Sequence, residues 1–336
     1  MSGSRIRLLI VGEFGWNHGS SQVVHQYVRH AAAADMEIAV ARRFSKCDLE
    51  VTRRLPLRGD IRWATHLLIV MEAWPSPRHE DLERIDRIVP RHRRAVVDTD
   101  GHWNPRVAVG DDDNTWPCGL DEWRKLISAA GEIVLQPSIG PPASGAIPFP
   151  YFGLPARSRR RLRPKGADVQ YVGNNWYRRD QVVEVMSAAR QALGEGARLR
   201  LCGSGWDKVD ELGPLGIDVR PSVPFGKVVE RMGDGVLTPV LVRPVLGALR
   251  LLSPRMLETP AANTIPFYSE ENRHIGELYG DDGGELAWAS DSAEFFTRAL
   301  RDRKRLERSA RAIYPRLVER YSYPALLRQL RALLTG

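Results

Sequence analysis

The sequence predicts an α/β protein built from two Rossmann-like, doubly wound domains facing a cleft. Three observations predict it. The chain has 336 residues, more than one ordinary compact domain and enough for two. Short apolar runs ending in glycine alternate with segments of helical periodicity. That alternation stops over residues 137–164, which are rich in Pro, Gly and Arg, and then restarts.

In the first half, Ile6-Arg-Leu-Leu-Ile-Val11 reads as a buried strand ending at Gly12. Ser20 or Ser21 can cap the next helix, where Val23, Val24, Tyr27, Val28 and Ala31 recur at helical spacing. Further strands are expected at 37–41, 67–71, 95–97 and 132–135, with helices through Leu82, Ile85 and Ile88 and over 120–130. The second half opens with a strand at 168–172 before Gly173, a helix over 181–193, and a strand at 197–202 closing in Gly203-Ser-Gly205. Short strands at 217–219, 236–241 and 265–268 alternate with helices at 226–233, 254–262 and 291–302. Helical pattern then runs to the end, broken near 321–324. The expected division is 1–150, 165–318, and a closing helix at 319–336. In such sheets ligands sit beyond the carboxyl ends of the strands, so the cleft between domains is the expected site.

Composition bounds the function classes. With 43% hydrophobic and 27% charged residues the chain is globular in type. No apolar stretch approaches the roughly 18–20 residues that span a bilayer. The first residues lack the apolar core of a signal peptide, so a cytoplasmic location is expected. Cys47, Cys118 and Cys202 show neither metal-ligand nor disulfide-framework spacing and read as small buried hydrophobes. The formal charge of +8 comes from dispersed basic residues. Guanidinium suits anionic ligands. The one dense run, 157–165, reads as a solvated linker.

The second half resembles the GT-B glycosyltransferases, in particular the bacterial group related to the spore-maturation CgeB proteins and the family-4-like (glycosyl transferases group 1) enzymes. Four segments carry the likeness: Tyr171-Val-Gly-Asn-Asn-Trp-Tyr-Arg-Arg179, Leu199-Arg-Leu-Cys-Gly-Ser-Gly-Trp206, Ser253-Pro-Arg-Met-Leu-Glu258 with Pro260-Ala-Ala262 and Ile265-Pro266, and the tail around 310–323. The resemblance implies an N-terminal acceptor domain, a C-terminal nucleotide-sugar donor domain, and a last helix that packs back on the first domain. It implies transfer of a sugar from a nucleoside-diphosphate sugar to a hydroxyl, with no metal required and no other cofactor. It casts Glu258 as the carboxylate that grips the donor ribose. Gly173 lets the backbone approach the diphosphate, while Asn174, Asn175, Arg179 (or Arg178) and Arg255 reach the anion. Taken alone, Arg255 and Glu258 at i, i+3 are also a plain helix ion pair. Family-4 retaining enzymes carry a second Glu separated from this one by seven residues; here that position is Arg250.

In the first half, Gly12-Glu-Phe-Gly-Trp-Asn-His-Gly19 joins a strand to a helix and matches no established phosphate loop. His18 is the expected base for the acceptor hydroxyl, since imidazole titrates near neutrality; Glu13 is the reserve. Asp98-Thr-Asp100-Gly-His102-Trp103 offers a second set, with Asp100 as an alternative catalytic group. Trp16, Glu13, His102 and Trp103 are the expected acceptor wall; Trp74 and Trp176 also fall in loops after strands. An Asp-x-Asp can instead hold Mn²⁺ in the rival GT-A fold, which leaves the second β-α-β series unexplained. The other rivals are a GT-B-fold nucleotide-sugar epimerase and a non-catalytic anion- or nucleic-acid-binding protein. The expected partners are a nucleotide-sugar donor and a small-molecule or glycan acceptor, with no nucleic acid. Peripheral membrane contact and a homodimer are both compatible with the sequence.

Overall fold

A computed structural model describes residues 5–15, 19–48, 53–72, 78–107, 119–158, 166–289 and 293–336. It divides into two compact units: Met1–Gly153 with Pro244–Leu252 and Arg320–Gly336, and Leu154–Arg243 with Ser253–Glu319.

The first unit holds a seven-stranded sheet in the order Leu57–Arg58, Met36–Ala41, Ile6–Val11, His66–Met71, Arg94–Asp98, Ile133–Gln136, Ile147–Pro148. Every pairing is parallel. The central strands are buried on both faces, which is why they read as continuous apolar runs. Leu9 stands opposite Ala39 on one side and Leu67 on the other. The helices His79–Asp86 and Asp121–Ala130 send Leu82, Ile85, Leu126, Ile127 and Ala130 into one core with Leu9, Leu67, Ile69 and Val96. The helix Gly19–His30 contains Ser20 and Ser21 within it, not at its cap, and Ser21 Oγ instead donates to the Gly15 carbonyl at 2.6 Å.

The last helix, Tyr323–Thr335, belongs to this unit and packs on Gly19–His30. Tyr27 stands edge-on to Tyr151 and to Tyr323, with ring centroids 5.8 and 6.1 Å apart, and its hydroxyl donates to the Tyr151 carbonyl. Gly153 lies flat against the Tyr323 ring, where a Cβ would come within 2.6 Å. Arg331 clamps the helix by donating to the Ala34 carbonyl and to Asp35, each at 3.0 Å. The short stretch Pro244–Leu252 also lies here: Ser138 bridges Leu251 in antiparallel fashion, and Arg250 Nε donates to the Ile139 carbonyl.

The second unit holds a six-stranded parallel sheet in the order Asp218–Arg220, Leu199–Cys202, Ala167–Val172, Gly235–Pro239, Ile265–Ser269, Ala287–Trp288. The helix Arg179–Leu193 follows its central strand and buries Val182, Val185, Met186 and Ala189 along one stripe. The entering segment is pinned down: Tyr314 Oη donates to the Pro155 carbonyl, and Arg157 Nε donates to Asn263 Oδ1 at 2.7 Å. Arg157 is thus held against the unit, while 159–165 of the expected linker lie outside the described residues. Two-residue strands at Leu57–Arg58, Ile147–Pro148 and Ala287–Trp288 and the helices Pro244–Ala248 and Arg273–Tyr279 have no counterpart in the sequence expectations. They are too short to show a period.

His25, His30 and His66 of the first unit are all pushed below the ordinary imidazole range, by burial first and then by Arg54, Arg29 and Arg93 respectively. Their charged form is disfavoured in the folded state, so the unfolded chain takes up more protons as pH falls through about 6.5. Stability is therefore full above that value and declines below it. Thermal unfolding should show a lower midpoint at pH 5.5 than at pH 7.5, and His30→Phe should flatten part of that slope. An unchanged midpoint across this range would contradict the assignment.

Candidate functional site

In the second unit two neighbouring strands end side by side in glycine. Ala167–Val172 runs into Gly173-Asn174-Asn175, and Leu199–Cys202 into Gly203-Ser204-Gly205-Trp206. The loops are stitched together. Gly173 N donates to the Cys202 carbonyl at 2.8 Å, and Asn175 N to the Ser204 carbonyl at 2.9 Å. Asn174 Oδ1 accepts from Ser204 N and from Ser222 Oγ, while Asn175 Nδ2 donates to the Gly205 carbonyl. The buried Trp206 indole donates to the Gly173 carbonyl at 2.7 Å and stands edge-on to Tyr171. A Cβ at Gly203 would lie 2.0 Å from the Gly173 carbonyl oxygen, so the second loop requires glycine there. Just beyond, Trp176 and Tyr177 are exposed at 48% and 54%, and Tyr177 holds a left-handed backbone with φ of 52°.

Arg255 and Glu258 lie in the first turns of the helix Pro254–Ala261 and pair with each other. Both side chains are largely buried, at 16% and 13% exposed. Pro254 starts the helix where its missing N–H costs nothing. Thr259 Oγ1 bonds back to the Arg255 carbonyl, and Tyr279 Oη donates to the Met256 carbonyl, which fixes the helix on its neighbours.

In the first unit the strand Arg94–Asp98 ends in a fully buried carboxylate. Asp98 Oδ1 accepts from Gly101 N at 3.1 Å and His102 N at 3.0 Å; Oδ2 accepts from Trp103 N at 2.8 Å and Gln136 Nε2 at 2.6 Å. Four donors on one carboxylate fold residues 98–103 into a compact turn, closed by Gly101 at φ of +84°. The Asp98 oxygens are thus turned inward on the loop itself. His102 is fully buried with its ring stacked on Trp123 at 3.7 Å between centroids. Trp103 packs on the sheet core beneath the Arg124 guanidinium. Among the described residues no group of three His, Cys, Asp or Glu side chains could hold a metal ion.

A glycosyl transferase-like family model matches residues 160–332, just over half of the chain. The chain belongs to this family. No curated protein matches the sequence. Among solved structures, Anabaena Alr3699/HepE in complex with UDP-glucose is similar with a TM-score of 0.67 at 10% identity, over 98% of this chain and 99% of that one. The T4 phage BGT bound to its UDP-glucose substrate gives 0.59 at 11% identity, over 98% and 100%. An alpha-glucosyltransferase in complex with UDP-glucose and DNA containing an abasic site gives 0.65 at 12% identity, over 98% and 100%. The fold is GT-B, two parallel-sheet α/β units.

In this glycosyl transferase-like chain the expected site residues fall into distinct settings. Gly173, Asn174 and Asn175 share one loop with Gly203–Trp206, and Arg255 and Glu258 form a pair. Arg179 opens its helix half exposed and is engaged by Asp180 and by Glu211. Arg178 Nη1 donates to the Trp176 carbonyl. Arg250 lies in the first unit, so the position separated from Glu258 by seven residues serves the bridge at Ser138 and Ile139. Glu13 pairs with Lys46 at 2.9 Å, and Asp100 is buried. His18, Trp16 and Trp74 lie outside the described residues. Sequence reasoning passed over two roles: that of Trp206 as the clamp on Gly173, and that of Glu72, which directly follows the strand His66–Met71 and accepts from Ser20 N in the first turn of the helix Gly19–His30 at 3.3 Å. A carboxylate directly after an apolar strand was the available signal for Glu72.

Replacing Asp98 with Ala strips an acceptor from four buried donors, and denaturant unfolding should register a loss of about 3–5 kcal/mol. Gly203→Ala should force the two loops apart and cost about 1–3 kcal/mol. A loss within experimental error at either position would refute the corresponding role.

Proposed function

We propose that this protein transfers a sugar from a nucleoside-diphosphate sugar to a hydroxyl-bearing acceptor. One observation carries the reading. Within the stretch matched by the family, two glycine-ended strands and the start of the helix Pro254–Ala261 present close backbone and the Arg255–Glu258 pair. The similar structures named above hold UDP-glucose, which makes a uridine nucleotide the first donor to try.

In this reading Glu258 accepts hydrogen bonds from the ribose hydroxyls. Gly173, Asn174 and Asn175 line the approach to the diphosphate, with Arg255 and Arg179 as its countercharges. The two guanidinium groups favour the departing nucleoside diphosphate by fixed positive charge. His18 or Asp100 takes the acceptor proton, and Glu13, Trp16 and Trp103 belong to the acceptor side, with His102 buried in the loop that carries Asp100. No metal or other cofactor is assigned a part. The affinity with CgeB-related and family-4-like enzymes, a hexosyl donor and a natural-product or cell-envelope acceptor belong to the same proposal. An epimerase is not favoured, because the matching family is one of glycosyl transfer.

The test is thermal unfolding against a panel of nucleoside diphosphates and nucleotide sugars. Ligand at a hundredfold excess over Kd stabilises by about 2.7 kcal/mol. One nucleotide should raise the midpoint, and Glu258→Ala should weaken that binding by about 10–100-fold, the worth of a charged hydrogen bond. A panel that shifts nothing, or an alanine variant that binds like the parent, would sink the donor assignment.

A further inference from the structure

The first unit carries a second feature that the sugar chemistry does not use. A groove of about 840 Å³ lies where the chain leaves the two outer strands Met36–Ala41 and Leu57–Arg58 and meets the end of the helix His79–Asp86. Four guanidinium groups line it, those of Arg43, Arg62, Arg84 and Arg87, together with Asp60 and Ile88. All four arginines are exposed. The one acid of the lining is committed elsewhere: Asp60 Oδ1 caps the following turn by accepting from Arg62 N at 2.9 Å. Arg84 has Asp81 at 4.0 Å, the outer limit of an ion pair. Among the described residues Arg43, Arg62 and Arg87 make no ion pair, and the Arg43 guanidinium lies over the Phe44 ring at 6.0 Å.

The floor is apolar, made by the buried Phe44 and Ile61, and Ile88 stands on the rim at 38% exposure. The chain beyond Ile88 continues basic and exposed through Arg91, His92 and Arg93. Four guanidinium groups around one groove, with Asp81 as the only acid paired to any of them among the described residues, favour an anionic ligand, and the planar guanidinium fork matches phosphate oxygens. The apolar rim narrows the choice. A phosphodiester backbone has no use for an exposed isoleucine, and the only aromatic ring of the lining is buried and unable to stack on bases. A membrane surface uses both parts, headgroup phosphates against arginine and the acyl boundary against an apolar side chain. Among the described residues no helix is long and apolar enough to cross a membrane, so contact of this kind would be made from the surface.

We propose that this arginine groove seats anionic phospholipid headgroups and lays the first unit on a negatively charged membrane. The experiment is co-sedimentation of the full chain with phosphatidylcholine vesicles, with and without phosphatidylglycerol, over a salt series. Binding should need phosphatidylglycerol and fall steeply with salt. Each basic residue at such a surface is worth about a fivefold change in partition, so Arg62→Glu with Arg87→Glu should weaken binding by about 25-fold or more. Ile88→Ser should weaken it several-fold in a way salt does not mimic. Exposed arginines that do not line the groove, reversed as Arg308→Glu with Arg328→Glu, serve as the control, and unchanged unfolding midpoints show that every variant folds. The proposal fails if phosphatidylglycerol makes no difference, or if the control pair loses as much as the groove pair. It also fails if the groove pair abolishes retention of an oligonucleotide while vesicle binding is absent.

Discussion

Two backbones meet between Gly173 and Gly203 with no room for a side chain, and the second unit is arranged around that approach. Because both strands end at the same level, their loops share hydrogen bonds in place of water, and Asn174, Asn175 and Trp206 are spent on closing the seam. The result is a rigid ledge at the carboxyl edge of a parallel sheet, the place where α/β proteins put ligands. A rigid ledge matters for a group-transfer enzyme because fixed dipoles need no reorganisation when charge develops.

The first unit solves a different problem with a different device. A buried carboxylate is costly unless saturated, and Asp98 is saturated by three backbone N–H groups and one amide. It therefore acts as an internal anchor that shapes the loop carrying Asp100 and His102. What draws attention in the sequence as a pair of carboxylates is, in the structure, one anchor and one neighbour with separate surroundings. The arginine groove lies on the other side of this same sheet order, beside the strands farthest from Arg94–Asp98.

Much of the fold was legible, and the reason is physical. Strands buried on both faces, such as Ile6–Val11 and His66–Met71, are apolar over nearly all their length, and glycine follows Ile6–Val11 and Ala167–Val172 where the chain turns closely. Helices such as Arg179–Leu193 are long enough to show their stripe. Two-residue strands carry no period, and Pro244–Leu252 looks locally like any helix-and-turn, so its place in the first unit depends on pairing with Ser138 and Ile139 far away in sequence. The side chain of Ser20 or Ser21 suits a helix cap, yet Ser21 bonds to the Gly15 carbonyl, a contact that sequence alone does not reveal.

The sequence by itself determined the parallel α/β class, the two successive β-α-β series, and the glycine-ended segment whose motifs mark a glycosyl transferase-like chain. Those properties are local: burial on both faces, helical spacing and tight turns each leave a mark within a few residues. Tertiary structure decided which side chains are already occupied. Asp180 and Glu211 engage Arg179, Arg255 holds Glu258, Trp123 covers His102, and four arginines gather around one groove. Charge and hydrogen-bond partners act through space, and nothing in the order of residues states which of them will meet.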